Sequence, residues 1–222
     1  MFKRFKSPKQ PNRKERTEEF LKSKGVKINE HLPHIEAEED TTLRAPKEIA
    51  QRVSVLATTN MVAFNVIEAE DAIEYLKTYH LWELLTPKEK SFLENPTDDK
   101  KTQETWKCEG IWVLMWALGV VEDIGYPDKM CDLNQIPFEK YPIGEGKDPN
   151  TFINSFSKSR TKTEILDAND LYYRMDWTCV DARLNGHELN GLNPGVVYER
   201  HYALNWLVNY MDQEWDDISC DT

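Results

Sequence analysis

The sequence predicts an all-α fold, a single-domain bundle of helices around one central buried helix. The first observation is the run from Gly110 to Val121, twelve residues without a polar side chain. A segment that is apolar on every face and too short to cross a bilayer is typical of a helix at the centre of a soluble fold. The second is a series of helix start signals built from Thr, Asn and Pro. The third is a composition of 40% hydrophobic residues with seven tryptophans, which indicates a globular chain.

The chain divides into a flexible basic arm, residues 1–13, and one helical domain, residues 14–222. The arm contains two prolines and has no hydrophobic period. A chain of 222 residues is long enough to bury one substantial core. We therefore expect a single domain.

A short helix is predicted from Lys14 to Lys24, with Phe20 and Leu21 as its apolar anchors and Gly25 as its end. The alternating apolar residues between 26 and 32 then predict one or two very short strands.

Pro46 predicts the start of the next helix, in which Glu48 and Arg52 are one turn apart and are expected to pair. A further helix is predicted over residues 69–80. The segment from Thr86 to Glu89 has the pattern of a capping box with Pro at the first helical position, so it predicts a short helix.

The central helix is predicted to begin near Asp98 or Lys101 and to close around Gly125 and Pro127. Glu109 lies one residue before the apolar run. A carboxylate at that depth needs a partner, because an unpaired buried charge is costly or takes up a proton.

Residues 126–150 are the longest irregular stretch, rich in Pro, Gly, Asp and Lys. One helical turn is predicted near Leu133, and Asp148 is expected to start a short helix. Long loops of this kind are often functional and often only connections.

Thr161 and Glu164 form a second capping box and predict a long helix. Asp170 is the one acid on its predicted apolar face, and Arg174, four residues on, can pair with it. That predicted face consists of Leu166, Asp170, Tyr173, Trp177, Val180 and Leu184.

Asn193 and Pro194 predict the last long helix, and Arg200 interrupts its apolar stripe. Arg200 is the expected partner of Glu109 or Asp170, because guanidinium binds carboxylate bidentately. Two interpretations stay open. One is a sealed ionic cluster that fixes helix packing, and the other is a pocket in which Glu109 or Asp170 acts as an acid or base. The sealed cluster is preferred because structural ion-pair networks also perturb pKa values, and the sequence shows no nucleophile and base to support the pocket.

The net charge of −11 is unevenly distributed. Residues 1–27 contain ten bases and three acids, a net of +7, so the rest holds 18 bases and 36 acids, a net of −18. Such a body favours basic partners and repels phosphate backbones and anionic lipid, while solubility alone would also select an acidic surface. We expect a protein partner, no nucleic acid and no stable membrane association.

The four cysteines, Cys108, Cys131, Cys179 and Cys220, have no metal-ligand spacing, and no secretory segment follows the first residues. The sequence therefore predicts a cytoplasmic protein with reduced thiols. It assigns no metal and no cofactor.

Several segments together resemble the bacterial family called domain of unknown function 4272, from about Lys14 onward. They are RAPKEIAQR (44–52), WKCEGIWVLMWALG (106–119), DLYYRMDW (170–177), ERHYALNW (199–206) and the terminal WDDISCDT. Ala45 departs from the capping Ser expected there. The resemblance implies a mostly helical bacterial protein and supplies no activity. It also suggests joint action of one set of residues: Glu109, Asp170, Arg174, Glu199, Arg200, Asn205 and Trp206. The candidate aromatic neighbours of this polar cluster are Trp106, Trp177 and Trp206.

These residues fit two functions. The first is a helical protein-binding or regulatory module that neutralises a basic partner such as a toxin enzyme, based on the acidic body. The alternative is a hydrolase that uses the carboxylate and arginine site, with Trp side chains stacking on a substrate such as a sugar. An oligomeric scaffold is a third, weaker idea.

Overall fold

The computed structural model describes residues 12–222, and within that range the chain forms helices and no strand. The α-helices are α1 (Arg13–Ser23), α2 (Pro46–Ala63), α3 (Ala69–Thr78), α4 (Pro87–Glu94), α5 (Asp98–Thr105), α6 (Lys107–Ala117), α7 (Pro149–Asn154), α8 (Lys162–Asn185) and α9 (Pro194–Leu207). Short 3₁₀ turns lie at Trp82–Leu84, Leu133–Gln135, Phe138–Lys140, Tyr210–Asp212 and Trp215–Asp217.

The predicted central helix is confirmed as α6, which packs against both α2 and α9, while α8 packs against α9. Nine of its eleven residues are buried, so it is apolar on nearly every face. Gly110 permits the close approach: a Cβ there would lie 3.4 Å from the Trp215 ring and 3.9 Å from the Ala203 Cβ. Helix α2 is a second core helix, with 13 of its 18 residues buried.

The central helix is shorter than predicted at both ends. One continuous helix from Asp98 was expected, but α5 and α6 are separate and meet at Trp106. The buried Asn60 amide donates to the carbonyls of Glu104 (2.9 Å) and Thr105 (3.4 Å), which satisfies oxygens at the end of α5.

The far end of α6 lies near Gly119, with φ of +76°, instead of near Gly125 and Pro127. Arg160 satisfies the carbonyls there: its backbone N–H donates to Ala117 at 2.7 Å and its Nε donates to Trp116 at 2.9 Å. The N–H groups of Gly119 and Val120 also donate back to Trp116 and Met115, so the glycine ends the helix locally and Arg160 adds donors from a distant part of the chain.

The capping predictions are confirmed for α4, α8 and α9, where the side chains of Thr86, Thr161 and Asn193 accept from first-turn N–H groups. Ala45 offers no acceptor, so at the start of α2 only the Glu48 half of a capping box remains.

The predicted pair between Glu48 and Arg52 does not form. Glu48 pairs with Arg44 at 2.9 Å, and Arg52 reaches Glu89 on α4 at 2.6 Å. The reason is burial, because Arg52 lies on the buried part of α2 where only another element can supply a carboxylate.

The buried face of α8 differs from the predicted one by one residue. Tyr172, Asp176 and Cys179 are buried, whereas Leu184, placed inside by the sequence, is 72% exposed. A shift of one residue rotates the face by about 100°.

The strands predicted between residues 26 and 32 are absent from the described part of the chain. Side chains bind that segment instead: Lys14 Nζ donates to the carbonyls of Glu30 and Leu32, and the Thr178 hydroxyl donates to that of Lys27. The N-terminal helix is confirmed, although Phe20 is 41% exposed and Leu21 is the buried apolar residue of the helix. Most of the predicted arm, residues 1–11, lies outside the described residues.

Among residues 12–222, no helix combines the length and apolar character needed to cross a membrane.

Candidate functional site

The carboxylate of Glu109 and the guanidinium of Arg200 form a buried pair. Arg200 Nε donates to Glu109 Oε2 at 2.7 Å, and the backbone N–H of Cys131 donates to the other oxygen at 2.5 Å. Arg200 also donates to the carbonyls of Ile124 and Gly125 and to the Tyr172 hydroxyl. The Glu109 side chain is 0% exposed, so its oxygens are bound inside the protein.

Asp170 belongs to a second pair and does not meet Arg200. Arg174 donates to both Asp170 oxygens, at 3.1 and 2.8 Å, and also to the carbonyl of Pro33. The expected pairing of Asp170 with Arg174 is therefore present. The expected meeting of Glu109, Asp170 and Arg200 is absent, because their helices direct the two carboxylates to different partners.

The other residues of the expected cluster are also dispersed. Asn205 binds Asn169 and the carbonyl of Ser219. Trp177 lies under Lys27 and Trp206 under Arg44, with cation-to-ring distances of 5.7 and 5.0 Å. These contacts position helices and the surrounding segments, although the buried Trp206 Nε1 has no hydrogen-bond partner among the described residues.

Glu199 and Trp106, in contrast, line an open cleft where α4, α5, α6, α9 and the C-terminal segment meet. Its volume is about 370 Å³, in the range of small-ligand sites. We call it the acidic aromatic cleft. Its lining residues are Lys88, Glu89, Gln103, Glu104, Trp106, Lys107, Tyr198, Glu199, Tyr202, Trp215, Asp216 and Ile218.

Three of the four carboxylates in this cleft have partners. Glu89 binds Arg52 at 2.6 Å and closes the capping box of α4, and Glu199 binds Lys107 at 3.0 Å. Asp216 accepts from the backbone N–H of Lys88 at 3.0 Å.

Glu104 is the exception. Among the described residues its carboxylate has no hydrogen bond and no ion pair. Burial raises its pKa to about 7, Lys107 opposes that shift, and the carboxylates of Glu89, Glu199 and Asp216 add to it. It also lies in the last turn of α5, where the helix dipole disfavours a negative charge.

Aromatic rings form the walls of the cleft. Tyr202 contacts Trp215 edge to face at 5.3 Å, donates its hydroxyl to the carbonyl of Trp215, and lies 6.3 Å from Tyr198. Lys107 Nζ lies 4.9 Å from the Tyr202 ring centre, so the wall already holds one cation. Trp106 packs on Gly195, where a Cβ would come within 2.7 Å of its ring.

A larger cavity, of about 570 Å³, lies between residues 138–148 and α7. Its Lys147 is already bound to the carbonyls of Phe138 and Tyr141. We favour the smaller cleft because it contains a carboxyl group without a partner and with a displaced pKa, which is the combination found at functional sites.

Sequence reasoning found Glu199 and Trp106 but missed Glu104, Tyr198, Tyr202 and Trp215 as site residues. Glu104 lay within a segment predicted as continuous helix, with nothing to mark it. Only the break at Trp106 and the docking of the C-terminal segment bring these side chains together.

A family model described as Domain of unknown function (DUF4272) matches residues 13–218. No curated protein and no solved structure matches the chain.

Proposed function

We propose that this chain, which belongs to the Domain of unknown function (DUF4272) family, is a binding module. Its acidic aromatic cleft accepts a cationic side chain of a basic partner protein. The observation that carries this proposal is Glu104, a carboxyl group without a partner in an aromatic cleft that holds three further acids.

A cationic ligand would complete the interactions that Glu104 lacks. A guanidinium donates two parallel hydrogen bonds to a carboxylate and stacks on aromatic faces, so the Tyr and Trp walls suit arginine better than lysine. The cleft volume of about 370 Å³ accommodates such a side chain.

The charge of the whole surface supports a basic partner. Four of the chain's 28 bases and none of its 39 acids lie in residues 1–11, so residues 12–222 carry 24 bases against 39 acids, a net of −15. This field steers cations towards the cleft and repels nucleic acids. A basic toxin enzyme that the module neutralises is the specific partner class we propose.

The test is the binding of an arginine hexapeptide, followed by tryptophan fluorescence, with a citrulline hexapeptide as the neutral control. E104Q should weaken arginine-peptide binding by about 10-fold, which is about 1.4 kcal/mol. The affinity of the wild type should rise as pH passes through about 7, because Glu104 ionises there.

E70Q is the matched control, since Glu70 is an exposed acid on α3 away from the cleft. Equal losses for E104Q and E70Q would mean that only diffuse charge attracts the peptide, which contradicts a defined site. Equal binding of the citrulline peptide would contradict the proposal as well.

A second candidate function is a hydrolase that uses Glu104 as a general acid. A pKa of about 7 matches that task, and the aromatic walls suit stacking on a sugar ring. The Glu109 and Arg200 pair is sealed and does not support this role. Turnover of an aryl glycoside by the wild type, lost in E104Q, would favour the enzyme over the binding module.

A further inference from the structure

A second group of polar side chains lies where α8, α9 and the C-terminal segment meet. Asp176 comes from α8, His201 from α9, and Cys220 from the irregular segment after Trp215–Asp217. Their ligand atoms, one oxygen, one ring nitrogen and one sulfur, all lie within 4.8 Å of one another. Three elements distant in sequence thus direct three metal-ligating side chains to one point.

His201 is held in place but incompletely bound. It is 2% exposed, and its Nδ1 lies 2.9 Å from Asp176 Oδ2. Within residues 12–222, its other ring nitrogen and the Cys220 thiol have no hydrogen-bond partner. His201 also lines a cavity of about 110 Å³, together with Asp221, His34 and Glu36. Asp176 and His201 therefore present two potential ligand atoms side by side in a buried position, and the Cys220 sulfur lies close to both.

The charges around Cys220 favour a bound cation over a reactive thiolate. The carboxylates of Asp176, Glu199 and Asp221 act on the Cys220 sulfur, and Lys107 is the cation that offsets them. Nucleophilic cysteines require the opposite, an electropositive environment. A divalent cation placed among these groups would stabilise the thiolate and offset the repulsion among the carboxylates.

We infer that Asp176, His201 and Cys220 bind a divalent transition-metal ion of the zinc type, with a fourth ligand supplied from the adjacent cavity by water or Asp221. Oxygen, nitrogen and sulfur ligands together suit zinc, with bonds of roughly 2.0 to 2.3 Å. Ligand atoms around such an ion are roughly 3.5 Å apart, so Asp176 and His201, now 2.9 Å apart, would separate slightly and the Cys220 sulfur would move to face the ion. Cys220 lies outside the helices and can make that movement. The inference is independent of the acidic aromatic cleft.

A second cluster, Cys108, Glu109 and Cys131, also brings metal-ligand atoms together, but its groups already bind other partners. Both Glu109 oxygens are bound, by Arg200 and by the backbone N–H of Cys131. The Cys131 thiol donates to the carbonyl of Cys108.

The test uses the full reduced chain with Co²⁺ as a spectroscopic substitute, followed by competition between Zn²⁺ and a chromophoric chelator. The wild type should show a thiolate-to-cobalt charge-transfer band and the intense visible bands of tetrahedral Co²⁺. C220S should lose the charge-transfer band and weaken Zn²⁺ binding by about 100-fold or more, since outer-sphere changes alone cost 10- to 100-fold. C131S should retain both the charge-transfer band and the Zn²⁺ affinity of the wild type.

A second pair of variants controls for unfolding. His187 forms an exposed pair with Asp181 at 2.7 Å, so H187Q is the matched control for H201Q. Loss of Co²⁺ binding in H201Q and its retention in H187Q would support the site. A band that is lost in C131S and kept in C220S would place the ion at the other cluster and overturn the inference, as would the absence of the band in the wild type.

Discussion

Glu104 and Glu109 lie close in sequence, and their environments show how one residue type takes two roles. Glu109 is fully buried with both oxygens bound, so it acts as part of the framework. Glu104 is partly exposed in the cleft and has no hydrogen-bond or ion-pair partner among the described residues. Glu109 faces Arg200 of α9, whereas Glu104 faces the cleft, and this difference in position decides the two roles.

Replacing Glu104 should stabilise the protein above neutral pH. The unfolded chain releases the Glu104 proton near pH 4.5, whereas the folded protein keeps it up to about pH 7, so wild-type stability falls as pH rises through that window. E104Q removes the ionisation and should be more stable at pH 8 by about 1 to 3 kcal/mol, with the difference vanishing towards pH 4.5. Urea unfolding at several pH values measures this, and a less stable E104Q at pH 8 would contradict it.

Replacing Glu109 should destabilise the protein. E109Q leaves the buried Arg200 guanidinium without its counter-charge, so the free energy of unfolding should fall by about 3 to 5 kcal/mol. Chemical denaturation measures the loss. The control is E30Q, which breaks the exposed pair between Lys22 and Glu30 and should leave stability unchanged. An E109Q protein as stable as E30Q would mean that the pair is not part of the framework.

At the scale of elements, the junction of α5 and α6 creates the cleft. In an uninterrupted helix, the carbonyls of Glu104 and Thr105 would accept hydrogen bonds from N–H groups of the same helix. Here the Asn60 side-chain amide of α2 donates to both carbonyls instead. The break sets Trp106 against Gly195 of α9 and leaves Glu104 in the cleft.

N60A should therefore weaken both the fold and the cleft. The buried carbonyls at the junction lose their donor, which should cost about 1 to 3 kcal/mol of stability. Denaturation measures the loss, and the fluorescence of Trp106 should shift as the junction relaxes. N95A is the control, because Asn95 is exposed and makes no side-chain hydrogen bond among the described residues. Equal effects of the two substitutions would show that Asn60 does not hold the junction.

At the scale of the whole molecule, the C-terminal segment connects the parts that form both proposed sites. Trp215 is 4% exposed and packs on Tyr202, Trp206 and Gly110. The same segment supplies Asp216 to the cleft and Cys220 to the proposed metal site.

W215A should destabilise the protein by about 3 to 5 kcal/mol, because it leaves a large cavity against α6 and α9. Thermal and chemical denaturation measure this loss. L184A removes a large apolar side chain that is 72% exposed and should change stability by less than about 0.5 kcal/mol. A W215A protein as stable as L184A would mean that the segment is not part of the core.

The sequence by itself determined the helical fold, the central position of α6, the capped starts of α4, α8 and α9, and the burial of Glu109, Asp170 and Arg200. These features follow from local patterns: capping residues act within one turn, and an unbroken apolar run must be buried wherever it packs. Only the tertiary structure separated the Glu109–Arg200 pair from Asp170, paired Arg52 with Glu89, and decided which face of α8 is buried. Asn60 and Trp215 act across long stretches of chain, and the cleft exists only where they bring separate helices together. Its key residue, Glu104, is distinguished by the partner it lacks, and that absence has no signature in the local sequence.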